Sequence, residues 1–247
     1  MKDERQQIIL SKVMLHNRVL LSDLSDLLNV SIDTIRRDVK ELDSEKKLKK
    51  VHGGAVSLGY NNLPYKAEEV YFLQKKIVIA KKAINFLRDD QVVLIGGGTT
   101  NIELIKAMPH KIKLTVFTPS LIIASKLMSF PNVEVNFIGG KISKEAQISY
   151  GGSAIKILSN IKVDICFLGT GNIDSQFGIS ELDWEIVQVK QAMVEASKKT
   201  ILLTISEKLN SVQRFKICEI SEIHTLITEL DPEDRELDAY RKDVEIL

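Results

Sequence analysis

The chain has 247 residues, 44% of them hydrophobic, and a formal net charge of +1. That is enough apolar material for a small domain plus a medium one, and too even a charge to mark the whole chain as a nucleic-acid or membrane binder. The polar start, Met1-Lys2-Asp3-Glu4-Arg5, is unlike a signal peptide, no apolar run approaches the ~20 residues of a membrane span, and Cys166 and Cys218 lack metal or disulfide-framework spacing, so a reducing cytoplasm is expected.

Residues 1 to about 57 read as short helices. Ile8, Ile9, Lys12, Val13 and Leu15 mark the first. Ser22 is placed to cap a second, with Leu24, Leu27 and Leu28 on one side. Asn29-Val30 makes a turn, and Ser31 is placed to cap a third helix with Ile32, Ile35, Val39 and Leu42 facing inward. Lys46 to Ala55 alternates weakly and turns on glycines, as a small hairpin does. Residues 58–75 form a connector broken by Gly59, Asn61, Asn62 and Pro64, and a helix is expected from about Val70 to Leu87.

From Gln91 the pattern changes. Apolar runs at 92–95, 114–117, 133–138, 163–168, 201–204 and 224–227 are separated mostly by helical stretches at 101–108, 120–129, 152–159 and 183–197. Buried strands alternating with helices predict an α/β domain with a mainly parallel sheet.

Two features carry chemistry. The third helix turns Asp33, Thr34, Arg36, Arg37 and Lys40 outward. Between Arg36 and Lys50, seven basic residues (Arg36, Arg37, Lys40, Lys46, Lys47, Lys49, Lys50) stand against four acidic ones (Asp38, Glu41, Asp43, Glu45). A helix of this size fits the major groove, where Arg grips guanine edges and Lys holds phosphates. Equally, such a face suits a solvated helix with ordinary ion pairs, Arg37 to Glu41 for instance.

The second feature is Gly96-Gly97-Gly98-Thr99-Thr100, which follows a strand and opens a helix. Backbone N–H groups there can turn toward an anion, helped by the helix N-terminus and two hydroxyls. It is neither a P-loop nor a dinucleotide fingerprint, and a tight turn without a ligand is its plainer reading. Further polar or glycine turns end other strands: Thr118-Pro119-Ser120, Gly139-Gly140, Gly169-Thr170-Gly171 ahead of Asp174 and Glu181, and Lys208. Turns recurring at successive strand ends favour one shared crevice.

The run Val30-Ser31-Ile32-Asp33-Thr34-Ile35-Arg36-Arg37-Asp38-Val39, followed by His52-Gly53-Gly54-Ala55, resembles the signature of the DeoR family of bacterial repressors. The likeness spans about residues 3 to 230. It implies a winged helix-turn-helix over 1–57, a linker over 58–75, and an effector-sensing and oligomerising domain over 76–247, similar in fold to ribose-phosphate isomerases. Carried over, Ser31, Thr34, Arg36, Arg37, Lys40, Lys49, Lys50 and His52 would meet operator DNA. A phosphorylated sugar or polyol would meet Gly96, Gly97, Gly98, Thr99, Thr100, Thr118, Ser120, Gly139, Gly140, Gly169, Gly171, Asp174, Glu181 and Lys208. The family's first sensor turn reads D-x-G-T-T, and glycine replaces its Asp here.

No cofactor, metal or catalytic residue is expected. A sugar-phosphate isomerase, the rival reading, would carry D-G-A-D-E after the fourth strand, where this chain has Leu168-Gly169-Thr170-Gly171-Asn172. A DNA-binding scaffold with a non-functional pocket is the other alternative. The expectation is therefore a homo-oligomeric repressor, dimer or tetramer, whose DNA affinity a phosphorylated sugar controls.

Overall fold

A computed structural model describes residues 2–16, 18–57, 72–144 and 146–247, and divides the chain into two units, 1–71 and 72–247. Residues 58–71, most of the expected connector, lie outside the described residues.

The first unit runs α1 (Lys2–His16), β1 (Arg18–Leu20), α2 (Leu21–Leu28), α3 (Ile32–Ser44), β2 (Lys49–Val51) and β3 (Gly54–Val56). Ile9, Val13, Leu24, Ile35, Val39, Leu42, Leu48 and Ala55 close one apolar core. The turn between α2 and α3 follows from local chemistry. Asn29 ends α2 at φ 49, a left-handed conformation that Asn tolerates. The Ser31 hydroxyl then accepts the Thr34 N–H at 3.2 Å and caps α3. Asp38, buried in α3, is held by the Arg5 guanidinium of α1.

Two expectations fail here, and one strand is unforeseen. Ser22 does not cap α2: Leu20 holds that position without a side-chain bond, and the Ser22 hydroxyl turns to Asp23. The chain enters α2 from β1, which pairs antiparallel with β3 (Val19 opposite Ala55) to make a three-stranded sheet in the order β1-β3-β2. Arg18-Val19-Leu20 is too short to show a period, and its pairing partner is distant in sequence. Ile32 is not inward: it is 44% exposed, because the first turn of α3 projects beyond the core.

The second unit holds a seven-stranded parallel sheet in the order β15-β14-β12-β9-β4-β5-β6. These strands are β4 (Gln91–Ile95), β5 (Leu114–Thr118), β6 (Val133–Phe137), β9 (Val163–Gly169), β12 (Ser197–Leu203), β14 (Thr225–Ile227) and β15 (Glu245–Ile246). Its main helices are α4 (Leu73–Ala83), α5 (Thr99–Ala107), α6 (Leu121–Leu127), α7 (Gly152–Leu158) and α8 (Trp184–Glu195). The helix expected over 70–87 ends at Ala83 and tightens into a 3-10 turn over Ile84–Phe86. Unforeseen are β15, the hairpin of β7 (Lys141–Ile142) and β8 (Ser149–Tyr150), and a small antiparallel sheet of β10 (Asn172–Asp174), β11 (Gly178–Glu181) and β13 (Phe215–Cys218).

The strand order reverses at one place. From β4 the chain builds outward through β5 and β6, while β9 lies on the other side of β4 and starts β12, β14 and β15. Connections leaving neighbouring strands in opposite directions open a crevice beyond their carboxyl ends, where open α/β sheets bind ligands. Among the described residues no helix is long and apolar enough to cross a membrane.

The wing tests how closely the first unit is packed. A Cβ on Gly54 would lie 2.2 Å from the Val19 carbonyl oxygen, backbone that cannot move without breaking β1–β3 pairing. Gly53 has φ +72 but open space around it. Gly54→Ala is expected to lower the melting temperature and DNA affinity of the protein severely. Gly53→Ala should cost only the strain of one left-handed residue, about 1–2 kcal/mol. Equal melting temperatures for the two variants would contradict this packing.

Candidate DNA interface and effector site

On α3, Asp33, Arg36, Arg37 and Lys40 are exposed, as are Lys49, Lys50 and His52 on the strand and turn that follow. The Thr34 hydroxyl bonds Ser31 at 2.9 Å and so belongs to the cap. Arg36 is paired with Asp33, both ends more than half exposed, so the pair is weak and readily exchanged. Arg37 makes no ion pair among the described residues, and the Arg37–Glu41 pair of the plainer reading is absent. Glu41 is instead occupied by Lys2 at 2.6 Å and Gln6 at 3.0 Å. The Lys50 N–H donates to the Asp43 carboxylate at 3.2 Å, tying β2 to α3. The result is a braced helix whose outer face carries unneutralised cations.

In the second unit the glycine turn lies at the end of β4, beside the point where strand order reverses. Gly98, at φ 124, delivers the chain into α5. A Cβ on Gly97 would lie 2.7 Å from Ile148 and 3.8 Å from Ser120, so only glycine fits there unless Ile148 shifts. The N–H groups of Gly97, Gly98, Thr99 and Thr100 find no acceptor among the described residues, and neither threonine hydroxyl has a partner there. Asn101 fixes this arrangement. Its buried amide donates to the carbonyls of Gly96 at 2.9 Å, Gly97 at 3.3 Å and Phe167 at 3.3 Å, binding the end of β4 to β9. Carbonyls therefore point inward and free donors outward.

Other expected positions gather around the turn. Thr118 donates to the Ile95 carbonyl at 2.6 Å, and Ser120 caps α6. A Cβ on Gly169 would lie 3.2 Å from the Gly97 carbonyl oxygen. Beside it, the Lys208 ammonium donates to the Thr170 carbonyl at 2.7 Å. Gly171 is buried between β9 and β10. Gly139 and Gly140 instead lead into the β7–β8 hairpin. Asp174 is committed to its own turn, accepting the N–H groups of Gln176 at 2.9 Å and Phe177 at 2.8 Å. Glu181 is paired with Lys190 at 2.9 Å, both largely buried. One Asp174 oxygen is thus held by its own turn, and the Glu181 carboxylate by Lys190 and the Leu182 N–H.

The charge at these strand ends is lopsided. Desolvation, then repulsion from Lys76 and Lys190, pushes the Lys208 ammonium down to about 7 against some attraction from Glu181. Burial likewise lowers Lys76, only 6% exposed, to about 8, against the pull of Glu103 and Glu207. Those two acids also pair with Lys106 and Lys75. Burial pushes the Cys166 and Cys218 thiols up to about 12, which leaves them inert. A separate cleft of about 310 Å³ lies between the β7–β8 hairpin and the start of α8, lined by Lys144, Tyr150 and Asp183 among others, and does not include the glycine turn.

Residues 5–59 match the DeoR-like helix-turn-helix domain and residues 72–230 the DeoR C terminal sensor domain. The chain belongs to the DeoR family. A Bacillus subtilis relative described as an uncharacterized HTH-type transcriptional regulator, YulB, is 34% identical over 93% of this chain and 90% of its own. The HTH-type transcriptional repressor GlcR of the same species is 30% identical over 100% of this chain and 96% of its own. Among solved structures, ribose 5 phosphate isomerase A from Neisseria gonorrhoeae is similar over 55% of this chain and 53% of that one, at 16% identity and a TM-score of 0.41. This member of the DeoR family is a DNA-binding transcription regulator, not an enzyme.

Asn101, Lys76 and Lys190 were not singled out from the sequence. Lys76 was findable: it shares the i, i+3, i+4, i+7 stripe of α4 with Ile79, Ala80 and Ala83, which marks it as the inward lysine of that helix. Asn101 gives no such signal, since a polar residue in a helix's first turn is ordinary.

With the outer face of α3 in the major groove, Arg37→Ala is expected to cost about 1–3 kcal/mol on the preferred site. Lys49→Ala should weaken all duplexes alike and lower the salt dependence. Anisotropy titrations on specific and random duplexes at several salt concentrations check both. Wild-type affinity for the Arg37 variant on both duplexes would refute this docking.

Proposed function

We propose that this regulator is a repressor released or engaged by a phosphorylated sugar or polyol. The effector's phosphate rests on the N–H groups of Gly97 to Thr100, at the crevice between β4 and β9. The observation that carries the reading is the pairing of four free N–H groups at a helix N-terminus with an excess of lysines at the same strand ends. Such donors attract an anion through both their hydrogen bonds and the helix dipole. Lys208 and Lys76 supply the charge, and buried lysines with depressed pKa values gain most from an anionic neighbour. Ser120 and the Gly169–Gly171 segment line the flanks, with Gly139, Gly140, Thr118, Asp174 and Glu181 in supporting positions. The organisation proposed is reading head 1–57, linker 58–75 and sensor 76–247, with Ser31, Thr34, Arg36, Arg37, Lys40, Lys49, Lys50 and His52 at or bracing the DNA surface. One such head reads few base pairs, so a dimer or tetramer is the assembly proposed.

Effector binding has a defined pH dependence. Lys208 and Lys76 sit at about 7 and 8, below the ordinary 10.5, so they are charged below those values and neutral above them. Phosphate loses its second charge only below about pH 6. Affinity should therefore peak between about 6 and 7 and fall as pH rises through 7 to 8. Stability of the free protein should run the other way. The unfolded chain holds these protons up to about 10.5, so it binds more protons than the folded one from about 7 upward, and stability increases with pH there.

Calorimetry tests both parts, using a sugar phosphate found by thermal-shift screening, with its unphosphorylated sugar as control. Thr99→Ala/Thr100→Ala should bind more weakly, and Lys208→Met should lose both affinity and most of the fall above pH 7. Equal affinity for sugar and sugar phosphate, or for wild type and the double variant, would refute the cradle.

A further inference from the structure

The recognition helix presents one large apolar side chain to the surface. Ile35, Val39 and Leu42 are at most 1% exposed, yet Ile32, the first residue of α3, is 44% exposed. A single exposed apolar residue is ordinary on a protein surface. Its setting is what gives this one meaning.

The other side chains around the first turn are already engaged. Ser31 and Thr34 bond each other at 2.9 Å, and Asp33 is paired with Arg36. Ile32 is left projecting beside Arg36, four residues on and so on the same flank of the helix. The N-terminal residues of a recognition helix are the ones that approach base edges. In the major groove one base-edge group is apolar, the 5-methyl of thymine. Every other edge there offers a donor or acceptor that isoleucine cannot satisfy, so a different base opposite Ile32 would lose a hydrogen bond to water and gain nothing.

We propose that Ile32 reads the 5-methyl group of a thymine in the major groove and fixes an A·T pair at one position of each half-site. The residue discriminates by shape and hydrophobicity, while Arg37 and the lysines supply hydrogen bonds and charge. Ile32 thereby joins the side chains that set which sequence is bound.

The test uses the full chain and a duplex selected by it from random sequence. Each thymine of that duplex is replaced in turn by uracil, which removes only the methyl group, and affinity is read by fluorescence anisotropy. Wild type should lose roughly fourfold at one thymine per half-site, the value of burying one methyl group. Ile32→Ala should show no loss at that position, and Ile32→Val, which keeps a branched apolar side chain, should retain most of it. Far-UV circular dichroism and binding to random duplex at low salt confirm that the variants fold. A wild type indifferent to every thymine-to-uracil change, or the same loss in Ile32→Ala as in wild type, would overturn the proposal.

Discussion

The sensor unit depends on one side-chain amide. Asn101 donates to the carbonyls of Gly96, Gly97 and Phe167, and the Gly96 N–H in turn donates to Phe167 at 3.0 Å. Two strands whose connections leave in opposite directions are thus tied at the point where they diverge. The same bonds engage the carbonyls of Gly96 and Gly97, while the N–H groups of Gly97 to Thr100 find no acceptor among the described residues. A turn of three glycines would otherwise be the most mobile part of the domain. The arrangement has a cost, since the buried Asn101 amide oxygen finds no partner among the described residues. Stability is given up here for a fixed geometry, as at other sites where backbone donors must be held ready.

Charge is arranged on the same logic. The chain's net charge of +1 conceals two segregated excesses of cations. One lies on the surface, where Arg37, Lys40, Lys49 and Lys50 stand exposed. The other is at the strand ends, where Lys76, Lys190 and Lys208 lie among Glu181, Glu103 and Glu207, the last two shared with Lys106 and Lys75. The first is cheap to maintain because water solvates it. The second raises the free energy of the empty protein, and an anion of the right shape would relieve it. Where the family's sensor turn carries Asp, Gly96 removes one negative charge from this neighbourhood. An added Cβ there would meet the Met193 side chain at 3.2 Å and the Asn101 amide at 3.7 Å.

Much of this was legible from the residues. The six runs each became a strand of the main sheet: five are short continuous apolar stretches of the kind buried parallel strands need, while β6, at the sheet edge, alternates and is only partly buried. The Ser31 cap and the Asn29 turn were readable because capping and left-handed turns have strong residue preferences. What escaped were features set by tertiary pairing. The three-residue β1 has no period, and Ile32 fitted the inward stripe until the helix's first turn proved to overhang the core. At the candidate site the glycine turn announced itself, but the commitment of Asp174 to a hairpin turn and of Glu181 to Lys190 did not. A carboxylate looks the same in sequence whether it is free or engaged.

The central claim is that an anion held at the β4–β9 crevice alters how tightly the protein grips DNA. The direct measurement is the dissociation constant for a selected duplex with and without a saturating sugar phosphate, beside the matching unphosphorylated sugar. A ligand that couples to DNA through two states of the protein should change that constant about 5- to 150-fold, and the unphosphorylated sugar should leave it unchanged. A dissociation constant that is the same at saturating sugar phosphate as in its absence would contradict the account.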